Sequence, residues 1–173
     1  MSNLRVTRWL IGINVTIFVV TIFYPSFSLI LALNPLYPTL MGFLGQAFNH
    51  ANLMHLLFNM FALYQVGFLL ERLYGSRQFL LLYVVLWLAT AILILFCGGP
   101  SYYLGASGIV MGLFGFLYGM EGLSEYFKQQ IAGLLLINIL IGFLPGVSLI
   151  GHFGGAAVGY FLARLRLFNL VWR

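Results

Sequence analysis

Long apolar runs separated by short polar segments make up most of the chain, and the runs are too long to be strands. The first extends over about 9–27 behind Arg5 and Arg8, enough to cross a bilayer, with Trp9 and Tyr24 suited to the two interfaces. It predicts a retained anchor. A cleavable signal peptide is the rival reading, and the basic start, the apolar stretch and Ser26-Phe27-Ser28 fit it only loosely. A connector containing Pro35, Pro38, Gly42 and Gly45 leads to a second run over about 53–70, which ends at Glu71, Arg72, Gly75 and Arg77. Further runs follow at about 78–96, 105–120, 129–144 and 147–163, the last closing on Arg164, Arg166 and Arg173. The pattern predicts an all-α integral membrane protein with six transmembrane helices, forming one membrane domain over 1–173 with no separate soluble domain. The fourth helix is short and Gly-rich. The sixth carries Gly151, Gly155 and Gly159 at four-residue spacing, which lets two helix backbones approach closely.

Composition supports this picture. Of 173 residues, 62% are hydrophobic and 6% charged, whereas a soluble domain carries about 25% charged residues. The three acidic residues are Glu71, Glu121 and Glu125; there is no Asp, which excludes an intramembrane aspartyl protease. Three histidines (His50, His55, His152) and one cysteine (Cys97), with no acid near them, do not furnish a structural zinc or di-metal site, so no metal or cofactor is expected. Cys97 has no partner for an internal disulfide.

The net charge of +5 could suggest nucleic acid, but all eight Lys and Arg fall at the N-terminus, in loops 2 and 4, and at the C-terminus of the six-span arrangement. Loops 1, 3 and 5 have none. By the positive-inside rule both termini are expected in the cytoplasm. The charge is thus a topology signal spread over four short segments, and no nucleic-acid partner is expected. The expected location is multi-pass in a bacterial-type inner or plasma membrane.

Polar groups at membrane depth are costly and usually face a bundle interior or a wet cavity. Here they converge. His55 and Asn59 stand at i and i+4 at the start of the second span, Ser107 lies in the first turn of the fourth, and His152 lies about five residues into the sixth. These three spans begin from the same side, so at ~1.5 Å rise per residue the groups share a layer within about 10 Å of depth. His50 lies just above it. Serine with a histidine suggests nucleophilic catalysis, the imidazole taking the hydroxyl proton as the oxygen attacks a carbonyl. First-turn backbone N–H groups, that of Gly108 among them, have no intrahelical partner and sit at the positive end of the helix dipole, ready to hold an oxyanion. His50, His55 and Asn59 could add side-chain donors. All three Glu lie on the opposite side, which leaves a Ser-His dyad without an acid. Each element also has a plainer explanation: Gly105-Ala106-Ser107-Gly108 as a small-residue packing surface, His55 and Asn59 as an interhelical hydrogen bond, His152 as a packed histidine. Coincidence of depth favours the catalytic one.

The strings His50-Ala-Asn-Leu-Met-His55-Leu-Leu-Phe-Asn59, Gly67-x-x-x-Glu71-Arg72-x-x-Gly75, Gly105-Ala106-Ser107-Gly108 and Gly151-His152-x-x-Gly155-x-x-x-Gly159 resemble the rhomboid family of intramembrane serine proteases, over about residues 35–165. The resemblance implies Ser107 as nucleophile, His152 as base, and His50, His55 and Asn59 at the oxyanion site. It also implies an active site opening to the outer side and single-pass membrane-protein substrates cut near the outer end of a helix weakened by small or helix-breaking residues, without cofactor or metal. Two positions depart from the pattern of many members. Met41-Gly42 replaces a Trp-Arg pair in loop 1, and Met111 replaces an aromatic that packs on the catalytic histidine; its thioether can still contact an imidazole. The alternative is a catalytically inactive rhomboid-like protein that binds transmembrane helices, but such relatives typically lack the serine or histidine kept here. A transporter is disfavoured by the absence of an inverted repeat or acidic intramembrane pair. The sequence carries no signal for oligomeric state.

Overall fold

The computed structural model describes residues 5–144 and 146–168, so Arg173 and the first position of loop 5 lie outside the described residues. Among these, seven α-helices and one 3-10 turn account for the fold: α1 (Val6–Phe23), α2 (Pro25–Leu31), α3 (Leu40–Gly45), the turn Gln46–Phe48, α4 (Leu53–Cys97), α5 (Ser107–Gly119), α6 (Glu125–Ile141) and α7 (Leu149–Arg164).

The first apolar run is two helices, because Pro25 starts a new one: it lacks the N–H that would continue α1, and its fixed φ suits a first helical position. At 45 residues, α4 would span about 68 Å if straight, twice what a bilayer core requires. It is broken at Gly75, whose φ of 77° and ψ of 156° are open to glycine and strained for other residues. The arms 53–74 and 76–97 correspond to the second and third expected spans. By length and composition, α1 and α4 can cross a membrane, and α5 is a shorter apolar helix.

The core is a continuous apolar cluster in which Leu63, Leu70, Phe79, Leu82, Tyr83, Leu86, Leu113 and Phe116 are essentially sealed from solvent. Outside it, large apolar side chains face outward along nearly every helix: Phe58, Phe61, Phe96 and Phe153 are all at least 59% exposed. A water-soluble monomer rarely presents so much contiguous apolar surface; hydrocarbon is the solvent it suits.

The tightest contact is between α5 and α7, where glycines remove the side chains that would separate the backbones. A Cβ on Gly155 would fall on the carbonyl of Gly108, one on Gly159 on the carbonyl of Gly112, and one on Gly115 on the backbone of Ala156. In contrast, α6 is attached loosely, with Ile131 its only buried residue among those described.

Loop 1 is anchored without the Trp-Arg pair. Thr39 caps α3 by accepting from Gly42 N–H at 2.9 Å, Gly42 and Gly45 pack against Ala32 and Leu31, and Asn49 donates to the Ser28 carbonyl at 2.7 Å. A short antiparallel bridge joins Leu33 to Tyr103, with N–H···O distances of 2.9 and 2.8 Å, and ties loop 1 to loop 3.

Candidate active site

The first residue of α5 is Ser107, half-buried. No side chain caps this helix, so its first-turn N–H groups remain free of the cap contacts seen at α3, α4, α6 and α7. The approach to Ser107 is held from loop 1: Gly105 N–H donates to the Gln46 carbonyl at 2.8 Å, and Ala106 N–H points to His50 Nε2 at 3.5 Å, the long limit of such a bond.

His50 and His55 meet edge to face with ring centroids 5.1 Å apart. The His55 ring turns its Cε1–Nε2 edge to Gly105, where a Cβ would come within 2.6 Å of Cε1 and 2.7 Å of Nε2. Gly105 has a φ of +120°, so both its backbone conformation and the space above it demand glycine. Burial pushes the His50 imidazole down to about 4, with the neighbouring His55 adding to the effect and a backbone contact to Phe48 opposing it. His50 therefore stays neutral at neutral pH and can accept from Ala106. Asn59 is buried one turn below His55, and its amide donates to the His55 carbonyl at 2.9 Å. That fixes its orientation and leaves its second amide hydrogen for another acceptor.

His152 is buried in the first turn of α7, a helix capped by Ser148, whose hydroxyl accepts from Gly151 N–H at 2.9 Å. Its Nδ1 lies 2.9 Å from the carbonyl oxygen of Asn138 on α6. A carbonyl can only accept, so Nδ1 carries the hydrogen, and in the neutral ring the lone pair belongs to Nε2. Asn138 is among the last four carbonyls of α6, which also receives Gly142 N–H at 3.1 Å. The carbonyl end of a helix favours positive charge, which suits an imidazolium where the chain has no acid to offer. Sequence reasoning did not identify Asn138, because its contribution is a main-chain oxygen. Gln46 and Thr90, whose methyl packs where a Gly108 side chain would stand, were likewise missed.

The close contact of Gly108 with Gly151 and Gly155 brings the N-terminal turns of α5 and α7 together, and those turns carry Ser107 and His152. His50 and His55 converge on the same helix entrance from loop 1 and α4. Met111 is buried one turn below Ser107, at 2% exposure, in the position where many rhomboids have an aromatic.

A serine at an uncapped helix start, a histidine whose Nδ1 is held by a carbonyl, and two imidazoles beside a glycine are thus gathered at one end of an all-helical fold with a large exposed apolar surface. Residues 37–168 match the Rhomboid domain, and the chain belongs to the rhomboid family. It is 38% identical over 120 residues to the rhomboid protease GluP of Bacillus subtilis (strain 168), covering 66% of this chain and 24% of that protein. It is 37% identical over 125 residues to RHOMBOID-like protein 4 of Arabidopsis thaliana, covering 65% of this chain and 30% of that protein. Against the rhomboid protease GlpG of Haemophilus influenzae it is 30% identical over 118 residues, covering 64% of this chain and 61% of that protein. The matched stretch is thus less than two thirds of the length of each of these three relatives. Rhomboids are integral membrane proteins, and the exposed apolar surface of this chain accords with that.

Proposed function

We propose that this protein is an intramembrane serine endopeptidase that hydrolyses peptide bonds in or near transmembrane helices of membrane-protein substrates. Ser107 Oγ attacks the scissile carbonyl while His152 Nε2 takes its proton; the tetrahedral oxyanion is held by the free N–H groups of the first turn of α5, that of Gly108 included, with His50, His55 and Asn59 as side-chain support. The protonated His152 then returns its proton to the leaving amine, and a water molecule repeats the sequence on the acyl-enzyme. The observation that carries this reading is the Nδ1 contact of His152 with the Asn138 carbonyl, which selects the tautomer a general base needs. No metal or cofactor takes part.

In the same reading the chain is one membrane domain of six spans, the two arms of α4 counting separately and α2 and α3 belonging to loop 1. Both termini face the cytoplasm, and the site opens to the outer side. Lipid-embedded single-pass proteins are the substrate class. Retention of both Ser107 and His152 argues against a catalytically inactive helix binder.

The test is a purified preparation incubated with a transmembrane reporter, alongside Ser107→Ala and a small fluorophosphonate probe. Cleavage and probe labelling by the native chain, both lost in Ser107→Ala, are expected. Turnover by Ser107→Ala above one hundredth of native would remove this serine as nucleophile.

A further inference from the structure

At the opposite end of the molecule from Ser107, a groove of about 520 Å³ lies between α1 and the first arm of α4, lined by Arg8, Ile11, Tyr64, Gln65, Phe68 and Arg72. On α4 these residues fall on one stripe at i, i+1, i+4 and i+8, and on α1 at i and i+3, so two facing helical stripes form its walls. From Arg72 to Tyr64 the groove runs about 12 Å along the helix axis. Its mouth carries two guanidinium groups, its middle an amide, and its inner end aromatic carbon.

The two arginines are exposed, and among the described residues no carboxylate lies within ion-pair distance of either. The nearest acid in sequence, Glu71, is sealed from solvent and already occupied. It accepts from Val6 N–H and Thr7 N–H at 2.9 Å, from the Thr7 hydroxyl at 2.7 Å and from the Ser76 hydroxyl at 2.5 Å. Arg8 is also placed: its guanidinium carbon stands 5.8 Å from the centroid of Phe68, which in turn meets Tyr64 edge to face at 4.9 Å. A guanidinium stacked on an aromatic face keeps its N–H edge free for a planar or tetrahedral anion.

We infer that this groove binds the headgroup of an anionic phospholipid. The phosphate sits between Arg8 and Arg72, Gln65 reaches the ester level, and the first part of an acyl chain covers Ile11, Tyr64 and Phe68. A phosphate offers the oxygens that a paired-arginine mouth recognises. A soluble anion would satisfy the mouth and leave the apolar inner half bare. A second copy of the chain is a poor occupant: a two-fold contact here would set arginine against arginine, and the exposed carboxylates Glu121 and Glu125 are engaged by Arg164, Arg166 and Lys128. The inference rests on the protein being embedded in lipid and goes beyond the peptidase reading, so its test involves no turnover.

The experiment is native mass spectrometry of the full chain, delipidated in detergent and titrated with phosphatidylglycerol or phosphatidylcholine, with inorganic phosphate and glycerol phosphate as soluble arms. One phosphatidylglycerol should be retained in preference to phosphatidylcholine, and the preference should fall about five-fold in Arg8→Gln or Arg72→Gln and roughly twenty-fold in the pair. Arg5→Gln with Arg77→Gln, which removes the same charge outside the groove, should leave it intact. Equal loss in this control would show diffuse interfacial charge and overturn the site. Equal binding of glycerol phosphate, or unchanged preference in both single variants, would overturn it as well. Tyr64→Ala gives a second reading that leaves the charge untouched: it should weaken retention of phosphatidylglycerol, and no change would place the lipid elsewhere.

Discussion

Replacing Gly155 by alanine tests whether the α5–α7 contact sets the chemistry. The added methyl would land on the carbonyl of Gly108, a backbone atom that cannot rotate away as a side chain could. The two helices must therefore part, and overpacking of this kind costs about 1–3 kcal/mol, which for a domain of this size lowers the unfolding temperature by roughly 2–12 °C. The larger effect should be on reactivity. Ser107 and His152 sit in the turns that flank this contact, and a displacement of about 1 Å in reacting groups can cost about 10²-fold in rate. Thermal unfolding in detergent and the rate of fluorophosphonate labelling together read both consequences. The internal control is Gly133→Ala in α6, where a Cβ meets nothing within 4 Å; removal of a helix-interior glycine should there be neutral or stabilising by up to ~1 kcal/mol. If Gly155→Ala matched Gly133→Ala in both measurements, the reasoning that backbone contact between α5 and α7 positions the dyad would be refuted.

Ser107→Ala and His152→Ala should each abolish reporter cleavage while leaving a folded protein, and the double variant should be no worse than either single one, since the two residues act as a unit; additive losses would contradict this. Gly105→Ala should strain a φ of +120° and displace the His55 ring, costing about 1–3 kcal/mol in unfolding measurements and slowing probe labelling; an unchanged labelling rate would separate His55 from the site. Cysteines introduced into loops 1 and 3 should react with impermeant reagents from outside the cell, and those in the turn around Gly75 or just after Arg164 only after lysis; the reverse pattern would invert the membrane orientation.

Hydropathy made the long helices legible because burial in lipid demands sustained apolar runs, and the motif spacings marked Ser107, His152 and the imidazoles. The details that escaped are those a one-dimensional pattern does not encode. The apolar character continues through Tyr24 and Pro25, so the break between α1 and α2 depends on one missing N–H. In loop 1, α3 owes its start to the Thr39 hydroxyl and its seat to the absence of side chains at Gly42 and Gly45. The glycine spacing on α7 signals a close approach, but spacing on one helix does not name its partner; that partner is the stripe Gly108, Gly112 and Gly115, whose own spacing is less regular. Asn138 and Gln46 serve through carbonyl oxygens that every residue type possesses, so no sequence signal could single them out.

That the imidazole is oriented by a peptide oxygen of the most loosely packed helix makes α6 a reporter of its own position. With α6 against α7, His152 has its acceptor; were α6 displaced, the ring would be free to turn and the base of the proposed mechanism would lose its tautomer preference. The observed rate would then be the intrinsic rate multiplied by the fraction of molecules with α6 docked. A substrate that entered by displacing α6 would bear that factor, whereas one entering over the loops would not. An alanine scan along α6 would leave the oxygen in place at every step, so the dependence would surface only through changes that shift the helix as a body, such as bilayer thickness or a cross-link between α6 and its neighbours.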